Sequence, residues 1–198
     1  SLPNTQKHIQ AKDEEITIVP NVNLDVLNLI ERNFGPFHSN LPTSVPLWLA
    51  LALKECHKCR IEAPEWMSIE ALNQALDVEK NISDGGLGKD LPFHYIEISH
   101  VLFNYASDDI PDVDRVRMLL EDIQDVRMSK LRRGVNEALK QAVNSLKNAV
   151  NGDHAPCVSM SGASRMELNM IRRMYVAFFV CLLAVCRVYH QRILALTV

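Results

Sequence analysis

Residues Phe34–Met67 read FGPFHSNLPTSVPLWLALALKECHKCRIEAPEWM, and this stretch decides the fold. Pro36, Pro42, Pro46 and Pro64 each fix φ and remove a backbone donor, so they corner the chain rather than extend regular elements. Pro46 opens PLWLALALKEC, and at a first helical turn its missing N–H costs nothing, so a helix is predicted from there. Cys59–Ala63 reads as a short strand closed by Pro64. Both tryptophans, Trp48 and Trp66, sit just after these corners, and they are expected to anchor the junction between two domains. If its ring were fully buried, Trp48→Ala would cost about 3–5 kcal/mol. A proline-cornered module without catalytic residues points to shape-specific contact rather than chemistry.

Upstream, Ser1–Asp13 is polar, lacks the apolar run of a secretion signal, and is expected to be a flexible leader. Glu15–Val19 is β-branched and closed by Pro20-Asn21, a strand bounded by a turn. Leu24–Ile30 fits either a strand or a helix. Downstream, Ser68 is placed to cap a helix running to about Glu79, and Tyr95–Tyr105 forms another. Gly85, Gly86 and Gly88 make Asn81–Asp90 a mobile linker.

The longest element begins at Pro111. Val113, Val116, Leu119, Leu120, Ile123 and Val126 recur at helical spacing, and the stripe continues through Leu131, Val135, Leu139, Val143, Leu146 and Val150. A single helix ending at Gly152 would be about 60 Å long. Gly134 falls inside it at about 1 kcal/mol relative to Ala. So long a stripe exceeds what one small domain covers, which implies partner helices from other chains. The expected architecture is mainly α with a small β-rich N-terminal module, α+β overall. The module spans 14–63, a helical domain with long amphipathic helices spans 64–175, and an atypical apolar segment spans 176–198.

Composition narrows the function. In 198 residues the apolar fraction is 47%, the charged fraction 23%, the net charge −3 and the sequence pI about 6.2. That balance argues against a general nucleic-acid binder, which carries a basic face, and favours protein partners. Cys56, Cys59, Cys157, Cys181 and Cys186 are odd in number and lack a disulfide-framework spacing, which favours a reducing compartment.

Each motif with residue types suited to chemistry has a plainer reading. Cys56-His57-Lys58-Cys59 supplies two thiols where structural zinc wants four ligands, and it falls at a helix C-terminus, so one inward and one incidental cysteine are expected. Asp108, Asp109, Asp112 and Asp114 surround Pro111, where acids favour helix initiation. Gly85-Gly86-Leu87-Gly88-Lys89 lacks the spacer of a phosphate loop. Arg127, Lys130, Arg132 and Arg133 go round a helix rather than along one face and read as a solvated surface. Met174–Cys186 is apolar but shorter than the roughly 20 residues of a bilayer span, so a buried helix is preferred over a membrane anchor. A membrane-associated protein using this segment is the alternative reading.

FGPF, LP, VPLWLALALK, KCR and APEWM, in that order, resemble the second subunit of the GINS complex, a four-subunit cofactor of the eukaryotic replicative helicase. Glu15–Asn21, Tyr95–Ser107, Asp109–Arg132 and Met166–Arg172 are similar to further blocks of that family, over roughly Glu14–Arg172. The resemblance implies a non-enzymatic nuclear scaffold without cofactor or metal. Its partners would be three paralogous subunits, the minichromosome-maintenance motor and the motor's other cofactor, with no specific DNA binding by the isolated chain. Candidate interface residues are Trp48, Trp66, Val116, Leu120, Ile123, Arg127, Leu131, Arg132 and Arg133.

Overall fold

The computed structural model describes residues 14–29, 32–82, 86–147, 162–173 and 176. The leader over 1–13, the helix end at Gly152 and all of the apolar segment over 176–198 except Val176 lie outside the described residues.

Strand β1 (Glu15–Pro20) is the centre of a three-stranded antiparallel sheet. Its alternation turns Ile16 and Ile18 inward, as the period of two requires. A hairpin of β2 (Leu27–Asn28) and β3 (Asn33–Phe34) follows, so the ambiguous run at Leu24–Ile30 contributes a short strand. Strand β4 (Thr43–Pro46) pairs with β1 so that Ile16 faces Val45. Pro46 ends β4 and leads directly into α1 (Leu47–Glu55). Strand β5 (Cys59–Ile61) returns to the other edge of β1, setting Ile18 opposite Ile61. The sheet order is therefore β4-β1-β5.

Helix α1 buries Leu47, Leu49, Ala50, Leu51 and Leu53, more than one stripe, because it is wedged between the sheet and the helical domain. Trp48, on its less buried side, stands edge-on to Phe34 with ring centroids 6.0 Å apart. Both tryptophans are half-buried, so neither has the full burial expected of an anchor. Only Trp66 lies at the junction, in a cleft with Glu14, Ile16, Leu47, Pro64, Pro92 and Ile98.

Helix α2 (Ile69–Asn81) starts where Ser68 Oγ accepts a hydrogen bond from the Ala71 N–H at 3.2 Å. Helix α3 (Tyr95–Tyr105) follows, then α4 (Val113–Lys147), which crosses α2 over an extensive contact. Its 35 residues span about 52 Å and pass Gly134 without a break. A further helical segment covers 165–173.

The apolar stripe of α4 is covered differently from the sequence expectation. Val116, Leu119, Leu120 and Ile123 enter the main core with the sheet, α1, α2 and α3. Met128, Leu131 and Val135 form a second cluster with Leu87, Ala163 and Ile171. The chain thus covers its own stripe at least as far as Val135, because residues 86–88 and 162–173 fold back on α4. The inference that this part needs helices from other chains is corrected accordingly.

Half-burial sets the magnitude of a test. Trp48→Ala should cost about 1–2 kcal/mol, below the about 3–5 kcal/mol of a fully buried tryptophan. Leu72→Ala, in α2 at 0% exposure, should cost about 2–5 kcal/mol. Urea midpoints of the two variants, measured side by side, check the order.

Candidate interaction surfaces around a buried ionic centre

Two polar assemblies decide which surfaces this chain presents. The first joins the N-terminal module to the helical domain. Lys54, in the last turn of α1, donates to Asp108 at 2.8 Å and to Asp109 at 2.7 Å. The same Asp109 oxygen accepts the Ile61 N–H of β5 at 2.8 Å. That donor points away from β1, so Asp109 caps an edge group that the sheet leaves unpaired. Burial alone would lower the Lys54 pKa, but its hydrogen bonds to Asp108 and Asp109 outweigh that, and the net shift is upward. Asp108 is shifted down, mainly by the Lys54 hydrogen bond, although its side chain is 71% exposed. Asp109 therefore does more than start a helix, the role its sequence context suggested.

The second assembly lies where α2, α3, α4 and residues 162–173 meet. Arg127 is 2% exposed, and each of its three nitrogens donates to an acceptor. Nε donates to Glu167 Oε1 at 2.7 Å and Nη2 to Glu167 Oε2 at 3.0 Å, a bidentate pair. Nη2 also donates to the Gly162 carbonyl at 2.6 Å, and Nη1 to the Gly88 carbonyl at 3.1 Å. Glu79 Oε1 stands 3.6 Å from Nη1, and Glu79 Oε2 accepts the Gly88 N–H at 2.7 Å. Lys130, 7% exposed, donates to the Glu79 carbonyl, so the two buried cations face two buried carboxylates. Glu167 also accepts the Tyr95 hydroxyl at 2.9 Å and the Ser164 N–H at 2.7 Å.

The cause of each protonation state is local. Burial pushes the Tyr95 hydroxyl far up, so it stays protonated and donates. Burial would raise Glu167, but the hydrogen bond and charge of Arg127 hold its carboxyl below the usual range. Burial would lower Arg127, and Glu167 holds it up. The Cys59 thiol, buried beside the Ala50 carbonyl, is pushed up to about 11, while Cys56 is exposed, so the two are not a matched redox pair.

The candidate interface residues now divide. Val116, Leu120, Ile123, Arg127 and Leu131 are each less than 9% exposed within this chain and offer no open surface. Lys130 is buried too, so only Arg132 and Arg133 of the basic group are exposed as a solvated surface would be. Arg127 and Lys130 fall in the register of the stripe, four residues after Ile123 and Val126, and that position is the signal that marks them as buried. Glu167 also had a signal: Ser164-Arg165-Met166-Glu167 is a capping box. The linker reading of the glycine-rich loop is corrected at Gly88, which is bonded through both its N–H and its carbonyl.

The open surfaces lie elsewhere. Between α3 and α4 a groove is lined by Ser99, His100, Phe103, Arg117, Glu121 and Gln124, with the Arg117 guanidinium 5.0 Å from the Phe103 ring centre. Tyr105 and Met118 are large apolar side chains left exposed on the same two helices. Along α4 the exposed charged positions carry both signs: acidic at Asp114, Glu121, Asp122, Asp125 and Glu137, basic at Arg115, Arg117, Arg132, Arg133 and Lys140.

A β-module tied by one carboxylate to a bundle centred on a buried arginine defines the class. The family model described as "GINS complex protein helical bundle domain" matches residues 66–178, and "PSF2 N-terminal domain" matches residues 7–62. The chain is 41% identical to the DNA replication complex GINS protein PSF2 of Homo sapiens over 131 residues, covering 66% of this chain and 70% of that one. The Xenopus laevis protein of the same name gives 41% over 130 residues, covering 66% and 69%. That of Schizosaccharomyces pombe gives 34% over 165 residues, covering 83% and 80%. This chain belongs to the PSF2 family of GINS complex proteins.

Two tests follow from the polar assemblies. Asp109→Ala strips the partner from half-sheltered Lys54 and from the Ile61 N–H, and should cost about 2–3 kcal/mol. Asp108→Ala, at a solvent-screened site, should cost less than about 1 kcal/mol. Chemical denaturation ranks them. For Glu167, whose folded pKa lies below the ordinary 4.5, the contribution to stability is full above that pH and fades as pH falls through the folded value. Urea midpoints measured from pH 7 to pH 3 should therefore drop below about pH 4.5, and less so in Glu167→Gln.

Proposed function

We propose that this chain is a non-enzymatic subunit of a GINS heterotetramer, assembling with three paralogous subunits and working in the nucleus as a scaffold and cofactor of the replicative helicase. The observation that carries the reading is the pair of family matches, in order and almost end to end, over a sheet module and a helical bundle. Two further features support it. The largest group of perturbed ionisable side chains is spent on itself inside the core rather than arranged around an open cavity. Conversely, α4 carries exposed charges of both signs on its outer face, with exposed Met118 and Tyr105 beside them. Such a face suits helix-to-helix docking in which charge sets register and an apolar side chain supplies area. The minichromosome-maintenance motor and its other cofactor are the outer partners of this reading. Arg132, Arg133 and half-buried Trp48 remain as interface residues. Among the described residues, no helix is long and apolar enough to cross a membrane.

Co-expression with the other three GINS subunits, followed by size-exclusion chromatography, tests the assignment. The four chains should elute together, and reversing Arg132 and Arg133 to Glu should weaken that association in a salt-sensitive way. A chain that elutes alone as a stable monomer in the presence of the others would sink the reading. Tight DNA binding by the isolated chain at physiological salt, lost on the same reversal, would replace it with direct DNA contact.

A further inference from the structure

Residues 162–173 lie along the second half of α4 as a strap, and their hold on the molecule is unusual. The main core unites the sheet, α1, α2, α3 and the first half of α4, and from the strap it takes only half-buried Met166. The strap instead shares the smaller cluster, where Ala163 and Ile171 are its buried members against Leu87, Met128, Leu131 and Val135. Half-buried Leu168 and Met170 pack against the same cluster, so the strap's apolar hold is two buried and a few half-buried side chains, modest against the chain entropy that its ordering removes. The rest of the hold is polar. Arg127 reaches the Gly162 carbonyl and both oxygens of Glu167, Tyr95 reaches Glu167, and one backbone bond joins the Arg165 N–H to the Phe93 carbonyl at 3.1 Å.

Two details make this hold all-or-none. A Cβ on Gly162, whose φ is +85°, would lie 2.9 Å from the Leu87 carbonyl and 3.1 Å from that of Gly88, so strap and glycine loop sit backbone on backbone. Arg127 bonds carbonyls from both, so the same guanidinium ties strap and glycine loop to one point of α4. Half-opening would strand Arg127 or Glu167 in the interior without its counterion, the costliest arrangement for a buried pair. Full opening returns both to water.

We propose that residues 162–173, with Gly86–Gly88, form an electrostatic latch: a strap that opens as one unit when the Arg127–Glu167 pair is broken, uncovering Met128, Leu131 and Val135 while the sheet and the first half of α4 stay folded. The uncovered strip is a contiguous apolar helix face, the kind of surface that soluble proteins keep covered.

Hydrogen exchange read by mass spectrometry on the full chain, purified alone or with the subunits that co-purify, tests the latch. Reporter amides are those of Gly88, Ser164 and Arg165, each bonded within the closed strap. In Arg127→Met, exchange over 86–91 and 162–173 should rise at least about tenfold, while β1 and α1 change less than about twofold. Arg127→Met combined with Glu167→Met removes both charges of the latch, leaves the Lys130–Glu79 pair in place, and should recover part of the protection. A rise shared equally by all elements would overturn the proposal, because the chain would then be one cooperative unit. No rise in the strap would overturn it as well. If Arg127→Met does not fold, Glu167→Gln keeps the volume and gives the same readout, and failure of both to fold shows that the strap is not separable.

Discussion

A guanidinium cannot shed its charge, so burying Arg127 imposes a condition on everything around it. Removing such an ion from water costs several kcal/mol, recovered only if every donor finds an acceptor in good geometry. Here the acceptors come from two places far apart in sequence: Gly88 after α2, and the stretch from Gly162 to Glu167 at the start of the last helical segment. Glu79 of α2 completes the balance and meets Lys130 one turn further along α4. The bundle therefore has one arrangement in which its charges are satisfied, whereas an apolar stripe alone tolerates several. Tyr95 ties α3 to the same point through Glu167, and the Arg127 guanidinium stands 5.7 Å from the centre of its ring.

A smaller constraint of the same kind fixes the N-terminal module. A three-stranded sheet of short strands has little stability of its own and needs packing against a helix. Helix α1 supplies that packing on one side, and its Lys54 brings Asp108 and Asp109 to the exposed edge of β5. Because Asp109 accepts from both a side chain and a strand amide, it fixes position as well as charge. The sheet and the bundle thus meet through a shared apolar core and one carboxylate, with Trp66 beside the seam and half open to solvent.

Much of this was legible in the residues. Pro46, Ser68 and the β-branched run at Ile16–Val19 placed a strand and two helix starts by local chemistry alone. The heptad-like recurrence from Val116 to Val135 announced α4. What the sequence concealed was the partner of each charge. Arg127 and Lys130 looked like part of a solvated cluster because Arg132 and Arg133 stand beside them, yet they lie four and seven residues after Ile123, on its buried face. Their counterions, Glu79 and Glu167, are 48 and 40 residues from Arg127, a separation that no local pattern spans. The glycine loop misled for a related reason. Its composition reports conformational freedom, but Gly88 is held by long-range bonds that composition does not encode.

The division of α4 bears on assembly. Its inner face is committed twice, to the main core up to Ile123 and to the second cluster from Met128 to Val135. Neither face segment is then free to meet another chain while the fold is closed. The outer face carries acids at Asp114, Glu121, Asp122 and Asp125 interleaved with Arg115 and Arg117, and then Arg132 and Arg133, so a neighbouring surface meets charges of both signs. Arg117, laid over Phe103, and exposed Met118 add a local apolar and cation–π surface at the acidic end. Rim charges of this kind govern how fast and in what register partners meet, while buried aromatic and aliphatic contacts govern how long they stay. On the described parts of α3 and α4, Tyr105 and Met118 are the large apolar side chains left exposed, so of the two kinds of contact these helices offer mainly the charged one.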